Sequence, residues 1–197
     1  HTFYLEKNAK VRYIEKHYGE GDGAGKRILN PTTIIHVGEG AYLEMITVQI
    51  KGVDSTVRTT SGDLAEGATL VVKEKIMTHG VQHAETNFSV DLNGAGSSAS
   101  VSSRSVAKDD STQCFKSVIN GNAPCSGHTE CDAIIMDHAK VTAKPELTAN
   151  HIDAGLIHEA AIGKIAGEQL IKLMTLGLTE KEAEEQIKEA EDPITKT

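Results

Sequence analysis

The chain has 197 residues, with 20 lysines and arginines against 28 aspartates and glutamates, for a net charge of −8. A surplus of that sign excludes nucleic acid or an anionic membrane face as the main partner, because both would be repelled. Cys114, Cys125 and Cys131 are odd in number and irregularly spaced, so they form no disulfide framework, and no apolar run approaches the ~20 residues that span a bilayer. A soluble, cytoplasmic protein is expected.

The sequence opens at His1 without a methionine and passes at once into strand-like runs, Thr2-Phe3-Tyr4-Leu5 and Val11-Arg12-Tyr13-Ile14. It therefore reads as a fragment of something longer. Between Gly19 and Arg27 four glycines imitate a phosphate loop, but Lys26 is followed by Arg27 where that loop needs Ser or Thr before a helix. This is a plain connection.

From there to about residue 150, Val, Ile, Thr and Ser alternate in short runs broken by Gly, Asn and Asp, the pattern of strands and turns. Three segments resemble one another, 37–44, 64–71 and 92–98, and their matching glycines Gly40, Gly67 and Gly96 are 27 and 29 residues apart. A period of that size marks a solenoid or a propeller. Each unit holds short strands and no helix-length segment, which favours a parallel β-solenoid with the glycines stacked at one corner. The competing arrangement is an antiparallel β-sandwich.

Beyond about residue 150 the composition shifts to Ala, Leu, Glu and Lys. Ile157, Ala161, Ile165, Leu170, Leu173 and Met174 recur near a 3.6-residue period, and Gly177 would close that helix. Thr179 and Glu182 then form a capping box for a second helix, which Pro193 stops. The expected division is a β body over 1–150 and a small helical subdomain over 151–197, its two helices packed on the end of the body.

Thiolate, imidazole and carboxylate side chains concentrate at the junction: Cys125, His128, Cys131, Asp132, His138, His151, Asp153, His158 and Glu159. These are the ligand types of zinc and of iron–sulfur species. Cys125, His128 and Cys131 alone make C-x2-H-x2-C, three of the four ligands a structural zinc would take, and an interaction module built around such a zinc is one reading of the chain. Cys114 reads as a small buried hydrophobe, and His79, His83 and His138 as turn or surface residues. No nucleophile elbow, zinc-protease helix or lyase-like carboxylate cluster is visible, so no self-contained enzyme is expected.

Taken in order, Ser103-Arg104-Ser105, Thr129-Glu130-Cys131-Asp132-Ala133-Ile134-Ile135, Lys144-Pro145-Glu146-Leu147, the block from His158-Glu159-Ala160 to Leu170, and Gly177-Leu178-Thr179 resemble the core of the SufB/SufD family. The resemblance runs from about residue 30 to 190. It implies a right-handed parallel β-helix with a C-terminal helical subdomain. It also implies a scaffold role in SUF-type iron–sulfur cluster assembly, with a transient cluster at a subunit interface and a SufC-like ABC ATPase docked through the C-terminal helices. Motif by motif, the family's cluster-associated cysteine falls on Cys131, its glutamate on Glu159 and its histidine on His158. Ligands of both family members then sit in one chain, which implies a homodimer or a SufB/SufD-type heterodimer. A second SufB cysteine, tied to sulfur entry, belongs where this chain has Met45, so either a cysteine desulfurase or free sulfide is the expected sulfur source.

Overall fold

A computed structural model describes residues 1–19 and 25–164, apart from the side chains of residues 50 and 51. Thirteen strands follow one another: β1 (Thr2–Leu5), β2 (Lys10–Tyr18), β3 (Ile28–Leu29), β4 (Thr32–Val37), β5 (Tyr42–Lys51), β6 (Ser55–Leu64), β7 (Thr69–Thr78), β8 (His83–Leu92), β9 (Ser98–Ala107), β10 (Thr112–Gly121), β11 (Cys125–Ile135), β12 (Lys140–Ala149) and β13 (Ala154–Lys164). From β4 onward the chain changes sheet at every strand. One sheet runs β1-β4-β6-β8-β10-β12 with β3 beside β6, and the other runs β2-β5-β7-β9-β11-β13.

Tyr42 lies beside Thr69 and Thr69 beside Ser98, steps of 27 and 29 residues, and each of these pairings is parallel. Parallel neighbours one coil apart define a β-solenoid of about six turns and exclude the antiparallel sandwich. Side chains alternate inward and outward with the period of two that the pleat imposes. Ile35, Leu43, Leu64, Leu70, Leu92 and Ile119 are among the inward residues that meet between the sheets, and all are fully buried.

The predicted glycine corner is present. Gly40, Gly67 and Gly96 have φ of +63°, +63° and +71°, the left-handed region where a Cβ is costly, and Asn8 occupies the same corner of the first coil at +61°. Their amides form a ladder: Asn8 donates to the Glu39 carbonyl, Gly40 to Glu66, Gly67 to Ala95 and Gly96 to Pro124, at 2.7–2.9 Å. At the other corner Gly80, Asp109 and Asp137 take φ of +60°, +60° and +55°. There the amide of Gly80 donates to the Asp109 carboxylate, and that of Asp109 to Asp137. Aspartate tolerates this conformation because its short side chain satisfies the amide of the coil below.

One expectation is corrected. Residues 154–164, read as the start of a helix, form β13, a hydrogen-bonded neighbour of β11. Ala160, Ala161 and Glu159 favour a helix locally, but β11 offers an open row of backbone donors and acceptors, and pairing with it extends the core by one more strand. The chain divides into units His1–Ile162 and Gly163–Thr197. The expected helices beyond residue 164 lie outside the described residues.

Candidate functional site at the last coils

Strand parity sorts the junction residues onto two faces. On β11, Cys125, Gly127, Thr129, Cys131 and Ala133 are buried, while Ser126, His128, Glu130 and Asp132 face outward. The C-x2-H-x2-C set therefore cannot close around zinc, because its thiols point into the core and its imidazole points away. Among the described residues no group of three His, Cys, Asp or Glu comes together to hold a metal ion.

Cys131 is 1% exposed. Burial, followed by the charges of Glu74 and Asp132, pushes its thiol up from 9.0 to about 11, so it is protonated at neutral pH. Leu156 of β13 reaches over Gly127 of β11, so His158, two residues on, faces inward over Thr129, one inward position from Cys131. The Nδ1 of His158 is buried and has no hydrogen-bond partner. Glu159 falls on the opposite parity and meets His128 on the outer face, carboxylate to Nε2 at 3.4 Å. The structure thus places Cys131 and His158 on the inner face of adjacent strands and Glu159 outside them.

The outer face behind Cys131 is acidic. Burial, followed by the hydrogen bond shared with Asp132, raises the Glu130 carboxyl, and Arg104 stands 3.9 and 3.8 Å from the two side chains. Cys125 is buried against Gly121. Cys114 is half-buried and faces outward from β10, not inward as its strand-like surroundings suggested, because Gln113 and Phe115 take the inward positions. Met45 is fully buried as a core residue.

A feature unforeseen in the sequence leads to Cys131 from the other end. Glu15, Thr47, Glu74, Ser103 and Cys131 are successive partners across β2, β5, β7, β9 and β11, a single inward column. Ser103 Oγ and Thr86 Oγ1 donate to Glu74 at 3.0 and 2.7 Å, which satisfies a carboxylate that burial would otherwise penalise. Arg58 reaches across from the facing sheet to Glu15 at 3.5 Å and Glu74 at 3.6 Å. Its Nη2 donates to His17 Nδ1 at 3.0 Å, so His17 must use Nε2–H toward Glu15, 2.6 Å away, and is the neutral tautomer.

Residues 55–191 match the SUF system FeS cluster assembly SufBD core domain. The chain belongs to the SufBD family. It is 34% identical to an iron–sulfur cluster assembly SufBD family protein of Methanocaldococcus jannaschii, over 92% of this chain and 57% of that one. With a SufBD family protein of Methanothermobacter thermautotrophicus it shares 32% identity over 92% of this chain and 44% of the other. An iron–sulfur cluster assembly protein SufB of Bacillus subtilis is 27% identical over 64% of this chain and 27% of its own length. The SufBD chain described here spans about half the length of the archaeal relatives it matches. The matched domain is named for the SUF iron–sulfur cluster assembly system, and the parallel β-solenoid is the fold that the resemblance in the sequence led one to expect.

Proposed function

We propose that this SufBD chain is a scaffold, not an enzyme: a nascent iron–sulfur cluster is built on it and then passed on as cargo. Cys131, which gives up its proton as iron binds, supplies the thiolate, and His158 and Glu159 supply weaker N and O ligands suited to a cluster that must leave. The observation that carries this reading is the buried, unpartnered Nδ1 of His158 one inward position from the buried Cys131 thiol. A buried imidazole nitrogen without a partner costs stability, and a site that tolerates the cost has a use for the lone pair or proton.

One chain falls short of the four ligands that such clusters take, and its Glu159 faces away from its Cys131. The site is therefore completed by a second subunit, either a copy of this chain or a SufB/SufD-type partner, meeting it at the β13 end. Family membership and the amphipathic sequence beyond residue 164 support docking of a SufC-like ABC ATPase by the C-terminal segment. With Met45 in place of a thiol, sulfur enters either as sulfide that binds the iron directly or as the outer sulfur of a desulfurase persulfide, which the Cys131 thiolate attacks while the donor cysteine leaves as a thiol. The charge and the three unpaired cysteines support a cytoplasmic location.

Anaerobic reconstitution with ferrous iron and sulfide tests the assignment. The parent chain gains the visible absorbance of a cluster; Cys131→Ser loses most of it while keeping its circular dichroism, and Cys114→Ser and Cys125→Ser retain it. Undiminished absorbance in Cys131→Ser would remove the site.

A further inference from the structure

Between the two sheets, at the level of β5 to β10, lies a cavity of about 20 Å³. Its polar wall is Thr47, Arg58, Thr60, Glu74 and Thr86, and aliphatic and phenyl side chains close the rest. A space of this size exceeds the roughly 10–15 Å³ that one water needs, and water also requires two to four polar partners. A wholly apolar cavity would stay dry; this one has a carboxylate, a guanidinium and three hydroxyls around it.

Two observations locate the partners. Thr47, 4% exposed, has a buried Oγ1 without a hydrogen bond. In the column it stands between Glu15 and Glu74, and Arg58 reaches these two carboxylates at 3.5 and 3.6 Å, the second beyond a direct hydrogen bond. A water cannot fit between atoms so close, but one beside the pair can accept from the guanidinium and donate to the carboxylate while it partners the orphaned hydroxyl.

We infer that this cavity is a built water site: a single water pairs with Thr47 Oγ1, accepts from the Arg58 guanidinium and donates to the Glu74 carboxylate. It gives a partner to Thr47 Oγ1, the wall atom that lacks one. Bound there, it makes the polar column continuous from Glu15 to Ser103, one strand short of Cys131. The inference stands independently of the cargo proposed for Cys131.

Crystals of the full chain diffracting well enough to show ordered solvent decide it. A spherical peak within hydrogen-bond reach of both Thr47 Oγ1 and Glu74 is expected, and an empty cavity overturns the assignment. A peak that exchanges for thallium or bromide on soaking identifies an ion and overturns it as well. Denaturation supplies a second readout. With a water present, Thr47→Val strands that water's hydrogen bond and lowers the unfolding midpoint by several degrees, whereas Thr47→Ser stays near the parent. If the cavity is dry, Thr47→Val removes an orphaned hydroxyl and the midpoint holds or rises, which contradicts the water site.

Discussion

At the residue scale, a buried thiol makes a pH-dependent contribution to stability whose sign is fixed. Cys131 in the folded chain holds its proton to about 11, against 9.0 for an ordinary thiol. The folded state therefore keeps the full contribution below pH 9 and loses it as the pH climbs through the folded value, roughly 3 kcal/mol for a shift of that size. Other groups titrate in the same window, so the measurement is the difference between the parent and Cys131→Ser in urea unfolding, below pH 9 and again near pH 11. The serine variant should lack this component of the alkaline loss. Glu74→Gln removes the largest charge acting on the thiol and should move the thiolate ultraviolet absorbance of a Cys114→Ser/Cys125→Ser background to lower pH. His158→Ala and Glu159→Ala should weaken cluster build-up in reconstitution without unfolding the chain. The ordered motifs around Cys131, His158 and Glu159 marked them as the candidates on which the proposed site rests. Their division between two faces was not, because parity has meaning only once residues 154–164 are known to be a strand. The polar column left a trace that went unread: Glu15, Thr47, Glu74 and Ser103 lie seven residues beyond Asn8, Gly40, Gly67 and Gly96, the four corner positions.

At the scale of the element, the corner glycines separate two kinds of constraint. Gly67 needs its positive φ, yet a Cβ there would sit 3.8 Å from Gly40 Cα, in ordinary contact. Gly67→Ala should therefore cost about 1–2 kcal/mol of backbone strain and no more. Gly94 has no unusual φ, but a Cβ on it would meet the Glu66 backbone nitrogen at 2.0 Å, so coil must part from coil. Gly94→Ala should lower the urea midpoint further than Gly67→Ala; the reverse order would mean that torsion, not stacking distance, limits this corner. Repetition was legible in the sequence because the left-handed corner admits few residue types. β13 was misread because Ala, Glu and Ile at residues 157–161 suit a helix in isolation, and the row of groups offered by β11 is a long-range fact that local periodicity does not carry.

For the whole molecule, the proposed shared site predicts assembly. Sedimentation of the full chain should show a dimer, and the same interface should form the cluster, so a variant that sediments as a monomer should also fail reconstitution. Removing residues 178–197 should abolish co-purification with a SufC-like ATPase while the β body keeps its circular dichroism; undiminished capture would place that contact elsewhere. The near-constant coil length has a kinetic consequence. Registered neighbours in the middle coils are 27 to 29 residues apart, so each new rung closes a loop of almost the same size and carries almost the same entropic cost. Once two coils have found each other, every later coil adds onto a finished template, as in a one-dimensional crystal. The slow event is the first pairing, and a chain emerging from the ribosome can make it as soon as about two coils are free, long before Cys131 has been synthesised.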